Sequence, residues 1–291
     1  MSTDASPGGA GDVYQYVVAD VFTDVPLAGN QLAVFTDARG LAADRMQRTA
    51  RELNLSETVF VLPAERDGDV RVRIFTPIAE LPFAGHPVLG TAFVVGEMLG
   101  TTTVRLETGA GVVPTELERD GTRIVFGRMR QPIPGWAPYE RADALLEALG
   151  VARAGLPVEG YRNGPLHVYV ELDGEEAVTA LRPDLGALTE LGAIGANCFA
   201  GGGRSWRTRM FGPALGVPED PATGSAAGPL AIHLARHGRI GFGDEIQIRQ
   251  GDEIGRPSLL YAQVDGSPEH VERVSVGGSA VVVARGEYSL V

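Results

Sequence analysis

The 291-residue chain contains no lysine, and all 25 of its basic residues are arginine. A pyridoxal-phosphate enzyme anchors its cofactor on a lysine Schiff base, and a Walker-type phosphate loop ends in a lysine. Both classes are therefore excluded. Cysteine is almost as scarce. Cys198 stands alone, which rules out an intrachain disulfide, a multi-cysteine zinc site and a racemase built on two opposed thiols. No apolar run reaches the roughly eighteen residues that a membrane-spanning helix needs. There is no basic stripe either: the net charge is −12. Nucleic acid, whose phosphates call for clustered cations, is not an expected partner, and the acidity serves solubility. Residues 1–11 are small and polar, without the basic or apolar stretch of a targeting peptide. They read as a frayed tail, and a cytoplasmic location is the expectation.

Two segments share one design. Glu219-Asp220-Pro221-Ala222-Thr223-Gly224-Ser225 leads through small residues into an apolar helix, and so does Phe83-Ala84-Gly85-His86-Pro87. Each helix start leaves backbone N–H groups unpaired and carries the positive end of a dipole. Two of them facing each other would hold a carboxylate without a metal or cofactor. Their recurrence in two halves of the chain suggests a duplicated fold.

Runs with β-branched and aromatic content predict strands over 13–22, 31–36, 59–62, 70–75, 102–107, 111–117 and 123–129. An amphipathic helix is predicted over 41–55, with Met46, Ala50 and Leu53 at helical spacing. An apolar helix follows from 88 to about 100. The Pro- and Gly-rich stretch 131–138 reads as a linker. Beyond it lie a helix over 142–149 stopped by Gly150, a turn at 160–164, strands over 167–172, 197–199 and 204–211, and a helical piece over 181–191. The second apolar helix begins at Pro229, and strands follow over 245–250, 258–264, 271–276 and 280–285. Each half gives strands, one long central helix and more strands. The fold class is therefore α+β, with two pseudo-symmetric lobes, each a curved, mostly antiparallel sheet wrapped around a helix. The expected division is a tail over 1–11, an N-terminal lobe over 12–130 joined by the last strand 280–291, and a C-terminal lobe over 131–279, with the active site in the cleft between them.

Candidate residues have bland readings beside the sharp ones. Glu57, read alone in a connecting loop, is a surface carboxylate; its apolar neighbours Leu55, Val59 and Phe60 leave room for an acid/base of raised pKa. His86 lies between Gly85 and Pro87 at a helix start, where the dipole favours neutral imidazole, and it reads as functional. Asp220, Thr223 and Ser225 could each cap the second helix. Three such residues exceed what one helix requires, so Asp220 and Ser225 are candidates for ligand contact. His233 and His237 have the spacing of a metal pair, but the zinc-protease glutamate is missing and no third ligand is evident. No metal is expected, and His237 is placed at a helix C-terminus beside Gly238. Gly201-Gly202-Gly203 lacks the dinucleotide spacing and reads as a tight loop. Cys198 reads as a buried apolar residue.

The chain resembles the PhzF-like family of phenazine-biosynthesis isomerases, whose fold is that of diaminopimelate epimerase. The matching segments are Ala28-Gly29-Asn30, Leu53-Asn54-Leu55-Ser56-Glu57-Thr58, Arg73-Ile74-Phe75-Thr76-Pro77, Glu80-Leu81-Pro82-Phe83-Ala84-Gly85-His86-Pro87 and Glu219-Asp220-Pro221-Ala222-Thr223-Gly224-Ser225-Ala226. Tyr161 to Pro165, Asn197 to Gly201 and Arg209 to Phe211 extend the match. Gln31 departs from it, where many relatives carry proline. The resemblance implies a cofactor-independent isomerase acting on trans-2,3-dihydro-3-hydroxyanthranilate. It implies that Glu57 moves a proton from C3 to C1 of the ring, giving an enol that tautomerises to an aminoketone. Asp220 and His86 are implied to orient the substrate and assist the proton. Ser225, Gly224 and the helix amides are implied to hold the carboxylate, and Asn30, Ser56 and Gly85 to shape the pocket. A homodimer is implied as well, with other phenazine-pathway enzymes as further candidate partners. Two other readings stay open at this point: a family member acting on another small cyclic or amino-acid-like carboxylate, and a non-catalytic ligand-binding protein on the same fold.

Overall fold

The computed structural model describes residues 12–290, so the expected tail over 1–11 lies outside the described residues. The first half forms β1 (Asp12–Val21), β2 (Asn30–Phe35), α1 (Ala43–Leu53), β3 (Glu57–Pro63), β4 (Val70–Phe75), β5 (Glu80–Leu81), α2 (Gly85–Leu99), β6 (Thr103–Thr108), β7 (Gly111–Asp120) and β8 (Arg123–Gln131). The second half forms β9 (Gly135–Pro138), α3 (Ala142–Leu149), β10 (Glu159–Arg162), β11 (Leu166–Glu171), α4 (Glu175–Ala180), α5 (Leu185–Glu190), β12 (Ile194–Gly202), β13 (Ser205–Gly212), β14 (Val217–Asp220), α6 (Gly224–Arg236), β15 (Glu245–Gln250), β16 (Ser258–Gly266), β17 (Val271–Gly278) and β18 (Ala280–Leu290).

One pairing pattern occurs twice. In the first half β2 and β3 are parallel, β3 and β4 antiparallel, and β4 pairs in parallel with β6 across the connection that contains α2. In the second half β11 and β12 are parallel, β12 and β13 antiparallel, and β13 pairs in parallel with β15 across the connection that contains α6. Short β5 and β14 hang antiparallel on β4 and β13, leading into the respective helices. The ladder passes from the first group of strands to the second where β8 meets β17. The last strand, β18, returns to pair with β1. The architecture is α+β.

Both central helices are apolar on every side, which forces them inside. From Gly85 to Gly96, α2 is buried throughout, as is α6 from Gly224 to Ala235. One continuous core joins them, with Val88, Leu89 and Ala92 of α2 and Leu230, Ala231 and Leu234 of α6 packed among strand residues. Amphipathic α1 covers the outer face of the first group through Met46 and Ala50 against Phe35, Phe60 and Phe75. Helices α3 to α5 do the same for the second group over Val168, Val170 and the buried Cys198. No helix among the described residues is long and apolar enough to cross a membrane.

The elements differ from the sequence expectations at glycine and proline. Both central helices begin earlier than expected, α2 at Gly85 and α6 at Gly224. Pro229 sits inside α6 rather than opening it. Proline has no N–H for the carbonyl four residues back, and that carbonyl, on Ser225, instead accepts from Asn163 Nδ2 at 3.0 Å. Of the expected helix over 181–191 only α5 is helical; Pro183 precedes it, and Asp184 caps it by accepting from Ala187 N at 3.0 Å, while α4 lies before the expected range. The stretch 131–138 is not a bare linker. Its second half is β9, an edge strand on β10, where proline is tolerated. The turn expected at 160–164 belongs partly to β10.

Candidate active site between two helix N-termini

The helices α2 and α6 meet at their first residues. A Cβ on Gly85 would lie 2.3 Å from the Gly224 carbonyl carbon and 2.4 Å from Ser225 N. A Cβ on Gly224 would lie 2.9 Å from His86 N. Only glycine at both positions allows this approach. Backbone hydrogen bonding in α2 begins with Val88 N to the Ala84 carbonyl, and in α6 with Ala226 N and Ala227 N to the Thr223 carbonyl. The amides of Gly85, His86, Gly224 and Ser225 are thus the unpaired leading donors of two helices that converge on one spot.

A cavity of about 160 Å³ opens there. Its polar lining comprises Glu57, His86, His167, Asp220, Thr223 and Ser225, with Thr76 at one side. Its apolar lining includes Ile78, Leu81, Pro165, Met210, Leu215 and Val217. No arginine lines it. A cavity of roughly 150 Å³ accommodates a benzene-sized molecule, so the space suits one substituted six-membered ring.

Glu57 opens β3, where parallel pairing with Leu32 fixes its backbone beside β2. Burial, and then the nearby Asp220 carboxylate, push its pKa well above the ordinary carboxylate value. His86 is the second residue of α2, and burial holds its imidazole down to about 3, so it is neutral. Its Nε2 lies 3.3 Å from Glu57 Oε2 but has no aligned hydrogen-bond partner. Asp220 ends β14, which a two-pronged Arg209–Glu219 ion pair ties to β13 at 2.8 Å on both contacts. The Asp220 carboxylate accepts from Asn30 Nδ2 at 2.8 Å, Ser56 Oγ at 3.2 Å and Thr223 Oγ1 at 2.7 Å. Burial raises the Asp220 pKa, and these three donors moderate the rise. Two buried carboxylates in one site favour a state with one proton between them.

The structure therefore gathers Asn30, Ser56, Glu57, Gly85, His86, Asp220, Gly224 and Ser225 in one place. Asn30 acts as the stitch, since its second amide hydrogen goes to the Ala222 carbonyl at 2.9 Å. Neither Thr223 nor any other side chain caps α6; Thr223 bonds to Asp220 instead. Gln250 supports this corner, donating to the Asp220 carbonyl at 2.8 Å and to Thr223 Oγ1 at 2.9 Å. Of the segments 162–165 and 209–211, Pro165 and Met210 reach the cavity while Arg162 and Arg209 do not.

Two features escaped sequence reading. His167 lines the cavity from the start of β11. No motif surrounds it, but the internal repeat points to it, because β11 occupies the place of β2 and β2 opens with Asn30. The second is Glu159, the third group near His233 and His237 that the sequence did not reveal. Its Oε2 lies 3.2 Å from His233 Nδ1 and 3.2 Å from His237 Nε2. Arg236 Nη1 at 2.7 Å and Tyr161 OH at 2.8 Å reach the same oxygen. The guanidinium already supplies the positive charge at that oxygen. The cluster is an ion-paired tie between β10 and α6, with Arg236 stacked 4.7 Å over the Trp136 ring.

Comparison with known proteins agrees with this architecture. The family model described as phenazine biosynthesis-like protein matches residues 19–286. A trans-2,3-dihydro-3-hydroxyanthranilate isomerase of Pseudomonas aeruginosa is 53% identical over 274 residues, covering 94% of this chain and 99% of that protein. A solved phenazine biosynthesis protein of the PhzF family from Bacillus anthracis has a TM-score of 0.82 at 25% identity, covering 96% of this chain and 100% of its own. A solved predicted epimerase from Pseudomonas aeruginosa has a TM-score of 0.80 at 33% identity, covering 94% and 99%. With most of its length matched by the family model and more than half of its aligned residues shared with a curated member, the chain belongs to the phenazine biosynthesis-like protein family.

Proposed function

We propose that the protein isomerises trans-2,3-dihydro-3-hydroxyanthranilate, the compound in the name of its Pseudomonas relative. In this reading ionised Glu57 takes the proton from C3, and the same carboxyl returns it at C1. The C3–H bond breaks, a C1–H bond forms, the double bonds shift between them, and no atom is gained or lost. The enol at C3 then relaxes to the aminoketone. A carboxylate of raised pKa suits both halves of the step, being a strong base when ionised and a ready acid when protonated. Neutral His86 presents an unpaired nitrogen beside it. Asp220 meets the substrate amino group, and the amides of Gly85, His86, Gly224 and Ser225 hold the substrate carboxylate. A homodimer and a cytoplasmic location belong to the same reading.

The observation that carries it is the pairing of a largely enclosed, raised-pKa glutamate with two converging helix N-termini on a ring-sized cavity that no arginine among the described residues lines. The test is a proton NMR time course with this substrate in D₂O, run on wild type and Glu57→Gln. Wild type should consume it and Glu57→Gln should not. A well-folded wild type that leaves the substrate untouched would refute the assignment.

A further inference from the structure

His167 is the cavity-lining group that the mechanism above leaves without a role. It is 1% exposed, and its Nε2 lies 2.9 Å from Ser225 Oγ. Which of the two donates is settled by the far side of the ring. Asn197 Nδ2 approaches His167 Nδ1 at 3.3 Å and gives its other hydrogen to the Gly195 carbonyl at 2.7 Å. Flipping that amide would set its oxygen against the Gly195 carbonyl, so the nitrogen faces both acceptors. Nδ1 of His167 is then the bare nitrogen. Burial lowers the imidazole pKa to about 3, so the ring carries one proton, on Nε2. Nε2–H donates to Ser225 Oγ, and the serine's own hydrogen must point elsewhere. Ser225 lines the cavity. Gly195 belongs to the arrangement, since a Cβ there would lie 2.8 Å from His167 Nδ1.

We propose that His167 is a positioning residue that makes the Ser225 hydroxyl an obligate donor to the substrate carboxylate. Each group donates to the next, from Asn197 to His167 to Ser225 to the carboxylate. The inference rests on the reading that a carboxylate lies at the N-terminus of α6. It adds a directed proton to the helix amides, and it favours an acceptor oxygen at that place over a group that must itself donate.

Two probes separate this role from a structural one. They are 3-hydroxyanthranilate and 2-aminophenol, which share a ring and differ by the carboxylate. Calorimetric titration is run on wild type, His167→Leu, His167→Gln, Ser225→Ala and the Leu/Ala double variant. His167→Leu should weaken 3-hydroxyanthranilate binding roughly tenfold or more, the range of a hydrogen bond to a charged group, and leave 2-aminophenol binding unchanged. Ser225→Ala should lose at least as much, and the double variant no more than Ser225→Ala alone. His167→Gln, which keeps an N–H donor in reach, should retain most of the affinity. A loss in His167→Leu that persists in the Ser225→Ala background, or that falls equally on both probes, overturns the proposal, as does a wild type that does not bind 3-hydroxyanthranilate. Long-range ¹H–¹⁵N spectra of wild type give an answer that needs no variant to fold. An unprotonated Nδ1 on His167 is expected, and a protonated one overturns the proposal. Turnover of the dihydro substrate is followed in parallel. Lost turnover with the binding pattern intact refutes the proposed function alone, and intact turnover without the pattern refutes the relay alone.

Discussion

Glu57 should make the protein less stable as pH rises, and Glu57→Gln should reverse that cost. In the unfolded chain a glutamate ionises near 4.5, whereas in the folded protein burial and the Asp220 charge hold the pKa well above it. Between those two values the folded state keeps a proton that the unfolded state has released. Stability contributed by that proton is fully present below about pH 4.5 and is lost as pH rises through the folded pKa. Glutamine has the same shape and no proton to lose. The variant should therefore match wild type in acid and surpass it progressively toward alkaline pH. Each pK unit of displacement is worth about 1.4 kcal/mol. With an unfolding entropy of roughly 2.1 cal/mol/K per residue, a 291-residue chain gains about 2 °C in Tm per unit. The assay is a series of thermal melts of both proteins from about pH 4 to about pH 9, with turnover measured on the same samples. A Tm difference that stays constant across pH, or that shrinks as pH rises, would refute the reasoning. Glu57→Gln that turns over substrate at the wild-type rate would remove Glu57 from the chemistry.

Gly85→Ala should part the two helix starts, because its Cβ would press on backbone atoms of Gly224 and Ser225 rather than on a flexible side chain. A destabilisation of about 1–3 kcal/mol and loss of turnover are expected from melts and activity together, and a fully active variant would show that the close approach is dispensable. At the other end of α6, burial would raise the Glu159 pKa, but hydrogen bonds from Arg236, Tyr161 and His237 outweigh it and leave the pKa at about 2. The ion pair thus contributes stability that is present above the unfolded value of 4.5 and is lost as pH falls toward about 2. Glu159→Gln should be less stable than wild type by about 1–3 kcal/mol near neutrality, with the gap in melting temperature closing over that acid window; a gap that persists to its lower end would contradict the assignment.

What the sequence made legible follows from how local each signal is. Strand 70–75 and helix 142–149 could be read to the residue, because valine alternation and a stopping glycine act within a few positions. The starts of α2 and α6 were misplaced for a tertiary reason. Glycine and proline disfavour a helix locally, but Gly85 and Gly224 are required by each other across the helix contact, and Asn163 repairs the carbonyl that Pro229 leaves open. Glu57 read alone is a surface carboxylate and stands out only through the family resemblance, whereas His86 and Asp220 could be named from their surroundings at the helix starts. Their supports could not. Asn197, His167 and Gln250 lie on separate strands and acquire meaning through sheet register alone. Glu159 is likewise 74 positions from His233 and could not be paired with it by spacing.

The proposed use of helix ends to hold the carboxylate fits a cavity that no arginine among the described residues lines. An arginine beside the substrate carboxylate would bind it strongly, but it would also stand close to Glu57 and Asp220. A cation there would favour both ionised carboxylates and draw their pKa values down, leaving Glu57 a weaker base for the proton removal proposed for it. Amide donors and one directed hydroxyl hold an anion with partial charges that fall off within a turn of the helix. Anion binding and basicity are thereby assigned to different physical devices. Arg209, next to Met210, pairs with Glu219, and Arg256, which donates to the Gly29 carbonyl beside Asn30, pairs with Asp20 at 2.6 Å, so each guanidinium has a carboxylate close to neutralise it. Introducing a cation at the cavity wall, as in Met210→Arg, should tighten binding of a carboxylate probe while lowering turnover and shifting the acid limb of the pH–rate profile downward. Tighter binding with an unshifted limb would show that Glu57 does not sense charge at the carboxylate position.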